Sequence, residues 1–450
     1  MRRPVIAWRA YLFVGLSLAV AAGVTASEPE NAAATPATAP QTGVAPLALA
    51  DLELLALQHN PTVAQAAAAI DVSRGKALQA GLYPNPTVGY AGDQIGIAGT
   101  AGELQGAFVQ QTIVTAGKLR LSRAKYNQEA YEAEIRALGQ QHRVLNGVRL
   151  RFFELLALQQ TIGLNRSLLE NAEESLRTTR EMANTGQANR ADVLLAEAQV
   201  GDARVALRTV ENRYPALWQQ LAALVGTPDL LQAPLNGRLE PEGPPLDREC
   251  ALQRLLGESP ELQAARAHVV YDQITLRREQ VEPVPDVQLQ AAAGYNFETR
   301  NAVASGVQVG IKLPLWNRNQ GTIREVQADL ARARAEVTRV ELSLRERLAD
   351  AFDRYQTARE TAQVYRETIL PRTREAYEVQ QEMYKQRRTP WPEVVRLRRA
   401  KLDAEARHTR ALLEPRQAEV EITGLLQVDG LSVAPAPPPG GHLEATPDPR

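Results

Sequence analysis

The side chains that could perform chemistry are few in this sequence and stand far apart. Its 450 residues include one cysteine, Cys250, and five histidines. Transition metals are held by several Cys or His ligands at short spacing, and a single thiol cannot form a disulfide within the chain. The histidines are separated by dozens of residues, at positions 59, 142, 268, 408 and 442. We therefore expect no metal site, no cofactor site and no disulfide framework.

The sequence also lacks the motifs that mark common catalytic sites. It contains no G-x-S-x-G nucleophile turn, no H-E-x-x-H zinc motif and no Walker phosphate-binding loop. The 51 basic and 52 acidic residues give a net charge of −1, so the chain has no overall positive field to hold a nucleic acid. These observations predict a protein that is not an enzyme and does not bind nucleic acid.

The first residues have the layout of a secretory signal. Three arginines within the first nine residues precede an uncharged stretch, 10–26, that ends in small residues. We expect a signal peptide at 1–26, with an uncleaved anchor as the alternative, followed by a disordered segment at 27–45. No cysteine stands directly after this stretch, so we expect no lipid-anchored amino terminus. Beyond residue 26 no run of 18 uncharged apolar residues occurs, so membrane insertion would have to use strands.

Two copies of one unit make up most of the chain. Asn60-Pro61 recurs as Ser259-Pro260, 199 residues further on, and Asp192 recurs as Glu393 after 201 residues. A nearly constant offset over such a length indicates an internal repeat. The expected segments are, in order, a first repeat at 46–226, a Pro-rich linker at 227–247, a second repeat at 248–428 and a disordered Pro-rich tail at 429–450.

Each repeat contains two segments with the period-two alternation of amphipathic strands. The pattern is clearest in the second repeat, where one face carries Val287, Leu289, Ala291, Ala293 and Tyr295. Strands of about ten residues cross a bilayer when tilted, so we expect membrane strands at about 86–98, 103–115, 286–298 and 305–315. Hairpins that cover a soluble core with one face are the alternative. The aromatic residues expected at the membrane boundaries are Tyr90, Phe108, Tyr295, Phe297 and Trp316.

Long helices follow the strands in both repeats. Helix-forming residues continue from 118 to about 184 and from about 322 to 387, with only Pro371 as an interruption. At 1.5 Å per residue each helix would be about 100 Å long. The return helix of the first repeat has apolar residues at alternating steps of three and four from Val193, which is the spacing of a coiled-coil seam. We therefore expect an α+β membrane protein with long coiled-coil helices and four membrane strands.

The order of these elements, and several short segments, resemble the TolC family of outer-membrane channels. The segments that carry the resemblance are the Asn60-Pro61 helix start, QTIVTAGK at 111–118, LPLWNRNQG at 313–321 and TGQANRADVL at 185–194. The similarity covers about 50–430. It is strongest to the branch of the family that is associated with cobalt, zinc and cadmium resistance.

The resemblance implies an assembly and a function. It implies a homotrimer in which each protomer gives four strands to one twelve-stranded barrel in the outer membrane of a Gram-negative-type bacterium, continued into the periplasm by a coiled-coil α-barrel. The implied partners are a periplasmic adaptor, an inner-membrane pump of the RND type and outer-membrane lipid. The implied function is the channel of a tripartite efflux system that conducts heavy-metal cations or small toxic organic compounds. The outer-membrane conduit of a type I protein secretion system is the alternative.

The resemblance also implies two sets of functional residues near the hairpin turns. Glu393, with its repeat equivalent Asp192, matches the acidic gate of the family, and Arg396 stands where some members have a second acidic residue. The alternative for Glu393 is a first-turn acidic residue that only stabilises its helix. The residues expected to contact the adaptor are Thr185, Gly186 and Gln187 in the first turn and Arg387, Arg388, Thr389 and Pro390 in the second.

Overall fold

The computed structural model describes residues 46–93, 104–241, 243–296 and 302–432. The predicted signal peptide, the segment 27–45 and Phe297 lie outside these ranges, as do residues 433–450 of the predicted tail. The elements up to the linker are β1 (Leu47–Ala48), α1 (Leu49–His59), α2 (Pro61–Ala80), β2 (Thr87–Asp93), β3 (Leu104–Ile113), α3 (Lys118–Asn184) and α4 (Arg190–Val225).

The second part of the chain follows nearly the same order. After β4 (Leu235–Asn236), its elements are α5 (Arg248–Glu258), α6 (Pro260–Val281), β5 (Val287–Asn296), β6 (Ala302–Ile311), α7 (Gln320–Val364), a π-helix (Tyr365–Ile369), α8 (Leu370–Lys385) and α9 (Trp391–Thr423). Both halves therefore contain two short helices, two strands, a long outgoing helix and a long return helix.

The recurring pair of a polar residue and a proline, Asn60-Pro61 and Ser259-Pro260, marks the start of a helix in each half. Proline is favoured at the first position of a helix because its missing N–H would have no partner there. Pro61 and Pro260 occupy that position in α2 and α6. Asn60 also caps α2, since its side-chain oxygen accepts a hydrogen bond from the Thr62 N–H at 2.8 Å. Ser259, its counterpart, makes no side-chain cap.

The two strand pairs join in one antiparallel sheet with the order β2-β3-β5-β6. The central pairing links the two halves of the chain, from Leu104 opposite Asn296 to Ile113 opposite Val287. Strand β6 begins before the predicted residue 305 and ends at Ile311. It ends early because Leu315 donates its N–H to the Leu313 carbonyl at 3.0 Å, which turns the chain around Pro314.

The long helices form the rest of the structure. Helix α3 has 67 residues, which corresponds to about 100 Å. The outgoing helix of the second half is interrupted by the π-helix just before Pro371. Proline cannot donate the next backbone hydrogen bond, and a π-turn accommodates that loss without ending the helix. Among the described residues, no helix combines the length and the apolar character needed to cross a membrane.

Two large apolar cores hold the helices together, one centred in each half. The first is built around Phe152, Trp218 and Leu221, and the second around Leu262 and Leu344. The segment predicted as a linker contributes to the first core through the buried residues Ala233, Leu235 and Leu239. Its β4 strand also pairs in parallel with β1. The segment is therefore packed against the first half along part of its length.

The end of α9 is followed by a segment that packs back onto the first half. Residues 429–432, which the sequence places in a disordered tail, include Gly430, whose carbonyl accepts hydrogen bonds from Thr62 and Gln140, both at 3.2 Å. Asn146 donates to the Gly424 and Gln427 carbonyls at 2.8 and 2.6 Å. These contacts are buried hydrogen bonds and need no apolar side chains in the tail. The composition of the tail therefore did not indicate that it packs.

Candidate functional site

The four-stranded sheet exposes its apolar face. Register pairing places one set of side chains on the same face, and Val303, Val307 and Val309 of β6 are 72, 74 and 65% exposed. The face also contains Val88 and Tyr90 of β2. A sheet over a soluble core would bury this face. The exposed apolar face is instead the arrangement of a strand wall in contact with lipid.

The opposite face is formed mostly by small and uncharged polar residues. One cross-strand row consists of Thr87, Gln110, Gln290 and Gln308, and a neighbouring row of Gly89, Phe108, Ala292 and Gly306. The prediction that Phe108 joins the boundary aromatics is wrong, because Phe108 pairs with Gly89 and so faces away from Tyr90 and Tyr295. Amide and hydroxyl groups along this face suit contact with water.

An ion pair and two hydrogen bonds fix the base of the sheet. Lys118, which starts α3 and is nearly buried, contacts the Asp286 carboxylate at 3.1 Å. The same carboxylate accepts the Thr115 N–H at 2.8 Å, and the Thr115 hydroxyl donates to the Pro285 carbonyl at 2.8 Å. These contacts join the end of β3 to the start of β5, so the strands and the long helices hold a fixed relative position.

The two hairpin turns share one backbone geometry at their tips. In the first turn Gly186 has φ 74°, and Gln187 donates to the Met182 carbonyl at 2.8 Å. In the second, Arg387 has φ 58°, and Arg388 donates to the Met383 carbonyl at 2.9 Å. The predicted adaptor-contact residues Thr185, Gly186, Gln187, Arg387, Arg388 and Pro390 are exposed, and Thr389 is half-buried.

The second turn differs from the first in its side chains. The Tyr384 and Trp391 rings lie 4.7 Å apart on its two sides, and Gln380 donates to the Thr389 hydroxyl at 2.6 Å. Aromatic pairs at this distance add stability beyond the area they bury. They support a turn that has no glycine at its left-handed position.

The predicted gate residues make their contacts within their own hairpins. The Asp192 carboxylate accepts the Asn189 N–H at 2.9 Å, and Asn189 accepts the Asp192 N–H at 3.0 Å, which is a reciprocal capping box. Glu393 instead pairs with Arg396 at 2.8 Å, and the two side chains are 44 and 67% exposed. The structure therefore joins Glu393 to Arg396, while the Asp192 carboxylate is engaged in starting α4.

Sequence reasoning missed a cluster of buried charges between α3 and α6. The Nδ1 atom of His268 lies 3.1 Å from a Glu132 oxygen, and Nε2 lies 4.0 Å from an Asp272 oxygen. The hydrogen bond to Glu132 raises the pKa of His268, and burial raises the pKa of Asp272. The i,i+4 spacing of His268 and Asp272 was the available signal. The cluster borders a cavity of about 440 Å³.

The same groups do not form a metal site in the part of the chain that the structure describes. Within the ranges that the structure covers, no three His, Cys, Asp or Glu side chains are arranged to hold a metal ion. Arg136, which pairs with Glu132, also points its charge at this cluster. The cluster is thus an internal network of charges between helices.

A four-stranded sheet with an exposed apolar face, continued by helices of about 100 Å, defines an outer-membrane channel protein. The family described as "Outer membrane efflux protein" matches residues 54–227 and 251–427. The chain belongs to this family. The predicted role as outer-membrane component of a tripartite efflux system, and the predicted location in the outer membrane with extension into the periplasm, are therefore confirmed.

Individual relatives agree with the family assignment. The chain is 24% identical to the cobalt-zinc-cadmium resistance protein CzcC of Cupriavidus metallidurans, over 92% of this chain and 99% of the relative. Its fold matches the outer-membrane channel OprN with a TM-score of 0.68 at 19% identity, covering 85% of this chain and 91% of that one. It matches the outer membrane protein VceC of Vibrio cholerae with a TM-score of 0.67 at 19% identity, covering 85% and 97%. One of these relatives is named as a metal-resistance protein, and the other two are named as an outer-membrane channel and an outer membrane protein.

Proposed function

We propose that the protein functions as a homotrimer whose sheets close into one twelve-stranded barrel, and that this channel exports heavy-metal cations delivered by an inner-membrane pump and a periplasmic adaptor. The observation that carries the proposal is the open sheet with an exposed apolar face. The name of the cobalt-zinc-cadmium resistance relative supports the choice of cargo.

Closure of the sheet follows from the chemistry of its edges. Within the described residues, β2 and β6 each have a single neighbouring strand. Unpaired backbone N–H and C=O groups cost several kcal/mol each in hydrocarbon, so an open edge cannot face lipid. If β6 of one protomer pairs with β2 of the next, three copies of four strands remove every edge. Small barrels of this kind enclose a lumen once the strand number exceeds about eight.

The two faces of the sheet then have distinct surroundings. The valine-rich face contacts lipid and the glutamine face lines the lumen, so that the row through Gln110, Gln290 and Gln308 becomes a ring of amides. Amide oxygens and bound water can form hydrogen bonds with the water shell of a hydrated cation without binding the cation itself. A lumen of this composition favours passage of small hydrated ions over binding.

The long helices supply the periplasmic conduit. Helix α3, at about 100 Å, is long enough to carry the channel well beyond a membrane core of about 30 Å. The turns at its far end present exposed groups, Gly186 in one turn and Arg387 and Arg388 in the other. The cationic second turn suits an acidic surface on the adaptor.

The gate is assigned to Glu393 and Arg396. In a homotrimer each residue near the axis occurs three times, so three such ion pairs can close the narrow end through charge-assisted hydrogen bonds. Asp192 stands in the equivalent place of the other hairpin, and its capping contacts favour a supporting role there.

Native mass and metal export test this proposal together. The detergent-extracted protein should have the mass of three chains. A strain that lacks the protein should regain resistance to cobalt, zinc or cadmium salts on complementation, with its pump and adaptor present. A folded monomer would contradict the assembly. Restored export of polypeptides or organic compounds without metal resistance would contradict the cargo.

A further inference from the structure

One cross-strand row of the glutamine face contains a single large side chain. The row consists of Gly89, Phe108, Ala292 and Gly306, one residue from each strand. A β-carbon built on Gly89 would lie 2.7 Å from both Cε1 and Cζ of Phe108. The outer edge of the ring therefore occupies the space in which any other residue at position 89 would carry its β-carbon.

This contact gives Phe108 an unusual direction. Side chains of a strand normally stand roughly perpendicular to the sheet, whereas the ring of Phe108 lies across its neighbour β2. Glycine in a strand often marks such a close approach. Gly306 in the same row is a useful comparison, because a β-carbon there would meet no atom within 4 Å. Of these two glycines, only Gly89 is required by a neighbouring side chain.

We infer that Gly89 holds the Phe108 ring flat against the wall of the lumen, and that this contact sets the open width of the channel at this row. The inference rests on the proposed function, since the glutamine face lines a lumen only when the barrel is closed. In a homotrimer three Phe108 rings lie at one level. Phe108 is the one aromatic side chain that the described strands place on this face.

A single methyl group at position 89 is enough to move the ring. A contact of 2.7 Å is shorter than a β-carbon tolerates, and the atoms in the way are the far end of a side chain that can rotate. Ala292 is the partner of Phe108 on the other side, and it carries the β-carbon that Gly89 lacks, so the ring cannot lie as low over β5 and has to rise from the sheet, toward the channel axis. Gly89→Ala therefore turns three rings into the lumen.

Gly306→Ala is the matched control, because it adds the same methyl group in the same row without touching Phe108. Every variant is recorded in a Glu393→Gln background, so that the proposed gate does not limit the current. We expect single-channel recordings of the full mature protein in planar bilayers to show a loss of conductance for Gly89→Ala and none for Gly306→Ala. The double variant Gly89→Ala, Phe108→Ala should regain the conductance of the background. Equal conductance of the two glycine variants, or a loss that persists without the ring, would overturn the inference.

A second variant tests the same claim if Gly89→Ala fails to assemble. Phe108→Ala alone removes a ring that already lies flat, so its conductance should stay close to that of the background. A large increase would mean that the ring projects into the lumen, which would overturn the inference. Trimer mass and circular dichroism establish that each recorded variant is folded.

Thiol labelling separates this inference from the proposed function. In a Cys250→Ser background, a charged thiol reagent should label Phe108→Cys from the lumen and should not label Val109→Cys, which faces lipid. The reverse pattern would contradict the face assignment and with it the proposed barrel. Labelling at position 108 combined with equal conductance of Gly89→Ala and Gly306→Ala would overturn the ring contact and leave the barrel intact.

Discussion

Gly186 and Arg387 occupy equivalent positions in the two hairpin turns and share a left-handed backbone, with φ 74° and 58°. Glycine adopts this conformation without cost, whereas a residue with a β-carbon loses roughly 1 to 2 kcal/mol. The second turn is thus held in a strained conformation that the first turn reaches freely. The arginine at this position is exposed, and its backbone conformation lowers the local stability of the turn.

Arg387→Gly should therefore stabilise the second turn. We expect about 1 kcal/mol, which corresponds to roughly fivefold slower hydrogen exchange of the amides around the turn. Arg388→Gly is the control, because Arg388 does not have a positive φ. Equal exchange rates in the two variants would contradict the assignment of strain to position 387. If the turn docks an acidic adaptor surface, both variants should weaken adaptor binding.

The gate assignment predicts different behaviour for the two equivalent acidic residues. Glu393→Gln removes the charge that pairs with Arg396, so we expect a higher conductance of the closed channel and altered block by cations. Asp192→Ala removes a capping box and should cost about 1 kcal/mol in the free energy of unfolding. Planar-bilayer recording and thermal melting measure the two effects. Unchanged conductance in Glu393→Gln would leave Glu393 only a role in the first turn of α9.

The two faces of β6 should respond oppositely to charge. Val307→Lys places a cation against lipid and should cost about 2 kcal/mol or more near the midplane. Gln308→Lys, one residue further on, points the same group into the aqueous lumen and should be tolerated. Yield of folded protein in the outer membrane measures the difference. Comparable yields would rule out the assignment of faces.

The His268 cluster predicts a dependence of stability on pH. The raised pKa of His268 means that the folded state favours the protonated imidazole ring. This ring lies between Glu132 and Asp272, with Arg136 nearby. This stabilisation is complete below the unfolded value of about 6.5 and is lost as pH rises through the folded pKa. The melting temperature of His268→Gln should therefore lie furthest below that of the wild type at about pH 5 to 6, just below the unfolded pKa of histidine. The difference between the two melting temperatures should become smaller in alkali.

His142 provides a control of opposite sign. Burial lowers the pKa of His142, so its protonation opposes folding as pH falls below about 6.5. His142→Gln should therefore gain stability relative to wild type in acid. The same trend in both variants would contradict the assigned role of the His268 cluster.

The sequence indicated the helices and the apolar face of the second strand pair because both depend on simple periodicity. The first strand pair was harder, because Gly89, Gly106 and Ala107 dilute the alternation and hide which face Phe108 takes. The face that Phe108 takes depends on the register of β3 against its neighbours. That register is fixed by the backbone pairing with β5, which a single sequence does not show. The packing of the linker was not predicted for a related reason, since its prolines indicated only a connecting segment, while Leu235 and Leu239 are buried by residues distant in the sequence.

The role of Asp192 shows a further limit of single-sequence reasoning. The spacing of Asn189 and Asp192 is that of a capping box, but the repeat equivalence with Glu393 suggested a shared function. The structure gives the two carboxylates different partners, because α9 begins at Trp391 behind Pro390 and has no side-chain cap. Equivalent positions in an internal repeat therefore diverge in their contacts.

Cross-linking between the edges of the sheet is the most direct test of the trimeric barrel. In a Cys250→Ser background, Val88→Cys on β2 is combined in turn with Val303→Cys, Val307→Cys or Ile311→Cys on the same face of β6. Under oxidation at least one combination should give a covalent product of three chains on a denaturing gel, while Val88→Cys with Gln308→Cys on opposite faces should give none. If every combination remains at the mass of one chain in protein that keeps its strand content, the closed trimeric barrel is contradicted.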